Sequence, residues 1–259
     1  MGNKPNIFEI ATKELSQDAF IAWLLTWSDE KYKNEDSELH KLGKELLEAM
    51  CGEGWKLGEP IESVSPVKTQ WKSIDVLVSL ENKIGEKAYL IIEDKIGAKL
   101  YNDLQSYKDK VVKFFGQTEI KGVYIKTGNF TPPPNFSAEL KNIGFEEFYR
   151  KDLLKILETY EGENQIVVDF RAHWQEVEEE TNSFQNQNLG GWKWYAWEGF
   201  YNYLSSDSEA LSYYKPNWGY VPNKQGGFLC CYWHSKKIFN NDGVNLYLQT
   251  HFDSISKIL

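Results

Sequence analysis

SIDVLVSLENKIGEKAYLIIEDK, residues 73–95, is the stretch from which the fold can be read. Residues 73–80 alternate: Ile74, Val76, Val78 and Leu80 share one face, and Asp75, Leu77 and Ser79 the other. That is the period-two pattern of a strand with one face in a core. ENKIGEK reads as a hairpin connection in which Asn82 and Gly85 supply turn conformations. AYLIIEDK is apolar until three charges end it abruptly, which suits a central strand covered on both faces. Glu93 and Lys95 are two apart and project from the same face, while Asp94 points away. If the hairpin closes around Asn82 to Gly85, Asp75 comes near Glu93 across the two strands.

Charges at the end of a buried strand need partners, because an unpaired buried carboxylate or ammonium is costly. Asp75 and Glu93 also raise each other's pKa unless a cation lies between them. A divalent ion, Mg²⁺ or Mn²⁺, resolves the conflict, since it takes oxygen ligands and binds through one or two carboxylates plus substrate phosphate. Lys95 would then orient or deprotonate the attacking water and stabilise charge developing on phosphorus. The chemistry implied is phosphodiester hydrolysis.

Working outward, Phe20, Trp23, Leu24 and Trp27 predict a helix over 16–28 with Ser16 as N-cap. A second is predicted over 37–51, ended by Gly52 and Gly54. A strand at 61–70 precedes the hairpin; a helix at 99–115 and a strand at 120–126 follow it, and TGNFTPPPN forms a surface loop. Helix, three strands, helix, strand is the order of an α/β core with a central mixed sheet flanked by helices. We expect that core to occupy residues 1–130. Residues 131–259 then form an accessory α+β region with helices near 136–143, 150–160 and 165–181. An aromatic-rich stretch runs from Trp192 to Trp233, and an extended segment, VNLYLQTHF, comes last. The chain stops at SISKIL straight after that segment, as a piece of a longer protein would.

Composition bounds the partners. The formal charge of −9 argues against a nucleic-acid binder, but the charge is uneven. Acids crowd the region from Glu158 to Glu180, whereas Lys108, Lys110, Lys113, Lys121 and Lys126 cluster just after the charged strand end, where they could hold a phosphate backbone. No apolar run reaches membrane-spanning length and the first residues lack a signal-peptide core, so a cytoplasmic protein with no membrane partner is expected. Cys51, Cys230 and Cys231 have no disulfide or zinc spacing, and His40, His173, His234 and His251 share none.

Ile74-Asp75 on one strand and Glu93-Asp94-Lys95 at the end of the next resemble the PD-(D/E)xK nuclease superfamily, with Ile in place of Pro. KELSQDAFIAWLLT (13–26) and IIEDKIGAKLYNDLQSY (91–107) look like one bacterial family within it. The resemblance implies a restriction-endonuclease-like αβββαβ core. It also implies metal ligands Asp75, Glu93 and the main-chain carbonyl of Asp94, with Lys95 the catalytic lysine and Glu14 an outer ligand or water-holder. The family's Gln-Leu-x-x-Tyr reads Asp103-Leu104-Gln105-Ser106-Tyr107 here, so Gln105 and Tyr107 are supporting candidates, with Gln105 displaced by two.

Two readings follow. One is an Mg²⁺-dependent deoxyribonuclease in genome defence or repair, with a homodimer as a possible assembly. The other is a catalytically inactive protein on the same fold that binds nucleic acid or another protein, favoured by the net charge and the altered Gln position. The aromatics from Trp192 to Trp233 could stack bases, with Lys193, Lys215, Lys224, Lys236 and Lys237 interleaved, but the core of an accessory unit is the simpler reading.

Overall fold

The structure, a computed structural model, describes residues 5–52, 60–96, 104–130, 135–206, 216–224, 227–234 and 247–253. By contacts the chain divides into two compact units, residues 1–128 with 132–175 and residues 129–131 with 176–259.

The first unit is built on a five-stranded sheet whose order follows the chain: β1 (Ile61–Trp71), β2 (Ile74–Asn82), β3 (Lys87–Lys95), β4 (Glu119–Lys126) and β5 (Phe145–Tyr149). The first two junctions are antiparallel and the last two parallel, the mixed α/β sheet expected. Its helices are α1 (Ile7–Ile10), α2 (Glu14–Trp27), α3 (Ser37–Cys51), α4 (Leu104–Phe115), α5 (Phe136–Asn142), α6 (Arg150–Leu157) and the first part of α7 (Gln165–Asn182).

The β2–β3 hairpin forms as the turn residues dictate. Asn82 Oδ1 accepts from the amides of Ile84 and Glu86, and Gly85 takes a positive φ of 83°. This fixes the register, with Val76 opposite Ile92, and one further step sets Asp75 opposite Glu93. β3 lies in the middle of the sheet, and from Ala88 to Lys95 every residue is buried. Its three terminal charges are thus inside the protein.

Three local expectations are corrected. Ser16 is inside α2, not its cap; the helix starts two residues earlier, at Glu14. Its buried apolar positions are Phe20, Ile21, Ala22, Leu24 and Leu25 rather than a single stripe, because it packs on α3 and on the sheet, while Trp23 and Trp27 are half-buried. The chain also adds β5, which the pattern hid: Phe145 and Phe148 sit three apart, a helical spacing, yet both are buried in a strand. Gly54 and the first residues, 99–103, of the helix expected over 99–115 lie outside the described residues.

The second unit contains α8 (Trp194–Ser206) and an antiparallel sheet of β6 (Asn217–Val221), β7 (Phe228–His234) and β8 (Tyr247–Asp253). Tyr201, Trp218, Leu229 and Cys231 form its core, with Trp194, Trp197 and Phe200 packed against them. Tyr213, Tyr214, Lys215, Lys236 and Lys237, and the side chains of Trp233, His234 and His251, lie outside the described residues. Cys51, Cys230 and Cys231 are buried free thiols. Among the described residues, no helix is long and apolar enough to cross a membrane.

Helices α2 and α3 approach each other through Gly43. A Cβ there would stand 2.6 Å from the Leu24 carbonyl oxygen and 2.9 Å from the Ser28 nitrogen, both backbone atoms that cannot rotate away. In an open helix Gly→Ala stabilises by about 1 kcal/mol. Here overpacking decides the sign, and we expect Gly43→Ala to destabilise by about 1–3 kcal/mol in denaturant unfolding. A more stable variant would mean that the helices separate freely.

Candidate active site

The end of β3 places Glu93 and Lys95 on one face of the sheet, as period-two spacing requires. Lys95 Nζ lies 2.9 Å from Glu93 Oε1, 3.5 Å from Asp75 Oδ2 and 3.8 Å from Glu14 Oε2, and it donates to the Asp94 carbonyl at 2.6 Å. Burial alone would lower the lysine's pKa. Glu93, Asp75 and Glu14 outweigh it and push the ammonium up to about 12.

Each carboxylate is held by a separate element. Asp75, at the start of β2, accepts from the Asp94 amide at 3.0 Å through Oδ2 and from Gln70 Nε2 at 3.2 Å through Oδ1. Glu14 opens α2 and accepts from the Ile96 amide at 3.1 Å, which ties the helix start to the chain leaving β3. The Tyr107 hydroxyl of α4 is buried beside Glu93, and burial followed by that carboxylate raises its pKa. Sequence-predicted Glu14, Asp75, Glu93, Lys95 and Tyr107 therefore converge. Gln105 does not join them: it is exposed and donates to Asp109 Oδ1 at 3.1 Å. Asp103 lies outside the described residues.

Sequence reasoning missed a second polar layer on the opposite face of β3. The Asp94 side chain is fully buried and accepts from Gln17, whose Nε2 also lies 3.1 Å from Thr127 Oγ1. Asp18 lies next to it and accepts from Gln70 Nε2 at 3.1 Å, so that one amide group bridges Asp18 and Asp75. Among the described residues no donor reaches Asp18 Oδ1 or Asp94 Oδ2. Burial, then Asp75, pushes Asp18 up to about 7, and burial, then Asp18, pushes Asp94 up. Tyr124 was missed as well. It pairs with Glu93 across the β3–β4 ladder and so shares its face, and its buried hydroxyl also has a raised pKa, from burial and then Glu93. Two signals were present: Asp18 follows Glu14 by one helical turn, and Tyr124 sits mid-strand in an apolar run.

A sequence model of the PD-(D/E)XK nuclease superfamily matches residues 5–187. The chain belongs to the PD-(D/E)XK nuclease superfamily. No curated protein and no solved structure matches it. Nucleases of this superfamily generally use divalent metal ions, and the donor set can be tested for fit. Among the described residues no three His, Cys, Asp or Glu side chains converge as a metal cage. The Lys95 ammonium, however, already finds two carboxylates and a carbonyl within 3.5 Å of one point, so those oxygens do accommodate a cation.

The raised Asp18 pKa has a definite sign. The folded chain keeps a proton that the unfolded chain releases above the ordinary carboxylate value of 3.8, so stability falls as pH rises from about 4 to about 7 and is level above that. Asp18→Asn removes that penalty. In chelator, we expect the variant to gain thermal stability over the parent at pH 8 and little at pH 4. A difference independent of pH would show that Asp18 is ionised in the fold throughout.

Proposed function

We propose that this PD-(D/E)XK nuclease is a divalent-metal-dependent deoxyribonuclease with its active site at Asp75, Glu93 and Lys95. The observation that carries the reading is the convergence of Asp75 Oδ2, Glu93 Oε1 and the Asp94 carbonyl within 3.5 Å of one cation, at the end of a buried strand. A structural ion pair needs one carboxylate; this site has three around one lysine, and it leaves them with an excess of negative charge. Asp75, Glu93 and the Asp94 carbonyl would hold the metal. When bound, Mg²⁺ or Mn²⁺ supplies Lewis-acid activation of water and phosphate.

The chain's own residues do the rest. Lys95, freed from the three oxygens it now contacts, donates to the attacking water or to the developing charge on phosphorus. Glu14 accepts from the Ile96 amide and stands 3.8 Å from Lys95, which keeps that ammonium from swinging out to solvent. Gln70 fixes the rotamer of Asp75. Tyr107 and Tyr124 wall off Glu93 from water on the α4 and β4 sides. DNA as substrate and genome defence or repair as setting rest on likeness to this superfamily, and the cytoplasm as location on the lack of a membrane-spanning run and of a signal-peptide core in the sequence.

The competing reading, an inactive protein on this fold, is favoured by the same closed Lys95 cluster, in which the ammonium engages the candidate ligand oxygens without metal. Cleavage of mixed single- and double-stranded DNA with Mg²⁺ or Mn²⁺ separates the two. We expect activity that chelator removes and that falls at least about 10³-fold in Glu93→Ala. Lys95→Ala should abolish cleavage and still bind Mn²⁺, because it removes a competitor for the metal's oxygens. Asp75→Ala should lose both. Absence of Mn²⁺ binding by the parent would favour the inactive protein.

A further inference from the structure

Of the lysines expected to hold a phosphate backbone, three are engaged elsewhere. Lys121 pairs with Glu146. Lys108 lies over the Phe145 ring at 5.7 Å. Lys126 is over Tyr149 at 5.9 Å, with burial lowering its pKa to about 8. A different cationic group forms beside the candidate active site. Trp71 pairs with Ile74, so Lys72 and Ser73 make a two-residue hairpin, both at positive φ (51° and 70°). Primed turns of this kind favour Asn or Gly, so two side chains here are held in a strained backbone. The hairpin tip meets α4: Lys110 Nζ donates to the Lys72 carbonyl at 2.9 Å.

Around that contact the cations lie on aromatic rings. Lys72 Nζ is 5.3 Å from the Trp71 ring centre and 5.0 Å from that of Phe114, Lys68 is 5.8 Å from Phe115, and Lys110 is 4.7 Å from Tyr107. Among the described residues no carboxylate lies within ion-pair distance of Lys68, Lys72 or Lys110. In a chain of net charge −9, such a group calls for an anion. Phe114, edge-on to Trp71 at 5.4 Å, is 58% exposed, so much of its ring is left open to solvent. The patch adjoins the active site at two points: Asp75 follows Trp71 by one hairpin turn, and Lys110 lies over the ring whose hydroxyl is buried beside Glu93.

We propose that this patch binds unpaired nucleotides of the substrate, with a base stacked on Phe114 and phosphates held by Lys68, Lys72 and Lys110. The choice of single strand over duplex follows from the rings. A duplex hides its base faces and would use the lysines alone, whereas an exposed ring among cations is the means by which single strands are gripped without sequence readout. The proposal deepens the nuclease reading by naming the form of substrate at the same site.

The test is fluorescence anisotropy of the full chain in chelator, so that nothing is cut, with a labelled single-stranded oligonucleotide, a blunt duplex and the same duplex carrying a single-stranded overhang. Phe114→Ala should weaken binding to the single strand and the overhang by about 5- to 100-fold and leave the blunt duplex unchanged, and Phe114→Trp should restore it. Lys72→Asn, which tolerates the turn, should flatten the slope of log K against log salt by about 0.7 on the single strand. Unchanged single-strand affinity in Phe114→Ala, equal loss on all three DNAs, or no binding by the parent would overturn the proposal. Parent cleavage of DNA with unchanged affinity in Phe114→Ala would sink the platform alone; Phe114-dependent binding by a parent that never cleaves would sink only the nuclease reading.

Discussion

Everything at the centre of this protein is arranged around one ammonium at the end of a buried strand. Glu93 and Asp94 are fully buried and Lys95 nearly so, a placement that would be prohibitive for isolated charges. Lys95 Nζ offsets that cost by meeting Glu93, Asp75 and the Asp94 carbonyl at once, and the excess negative charge that remains is what a divalent ion would neutralise. A sheet with Leu at position 93 would be easier to fold. An acid there costs stability that the proposed metal-binding role of Glu93 would account for.

The surrounding elements can be understood as supports for that point. α2 begins at Glu14, so its N-terminus delivers one carboxylate to the Ile96 amide, and one turn later Asp18 reaches the opposite face of β3. Phe20 of the same helix stacks on Phe170 at 3.6 Å between ring centres, which fixes α2 from its far side. Gln70 takes a φ of 52°, unusual for a residue with a side chain, and its amide then bridges Asp18 and Asp75. Gly128 lets the chain leaving β4 pass directly against Ile96, whose carbonyl a Cβ would overlap. Strain and close approach are thus concentrated within a few residues of the charged strand end, where geometry must be fixed most firmly.

The order of the core was legible because its signals are local. Alternation in 73–80, the Asn82 turn and the apolar run to Glu93 each depend on neighbours in sequence, and together they set the register that puts Asp75 opposite Glu93. What could not be read depends on contacts between distant segments. The bond of Gln17 to Asp94 spans 77 residues and that of Gln70 to Asp18 spans 52, and neither spacing leaves a mark in composition or period. β5 was hidden for a related reason: its two phenylalanines are spaced as on a helix, and only pairing with β4 makes the segment a strand. Gln105 illustrates the reverse error, in which a plausible residue type on the right helix faces solvent because its neighbour Leu104 takes the buried position.

Net charge shows how far a global quantity can mislead about a local surface. Linear clustering grouped five lysines after β3, yet folding disperses them: Lys121 to Glu146, Lys108, Lys110 and Lys126 to three different aromatic rings, and only Lys113 without such a partner among the described contacts. The cations beside Asp75 come instead from Lys68 and Lys72, on a hairpin remote in sequence from α4, and the contact of Lys110 with the Lys72 carbonyl brings the two groups together. Long-range steering by a chain of charge −9 opposes an approaching polyanion, but salt at physiological strength screens that field over about 8 Å. Within that distance the sign is set by which side chains the fold leaves without a carboxylate, and beside this site they are lysines.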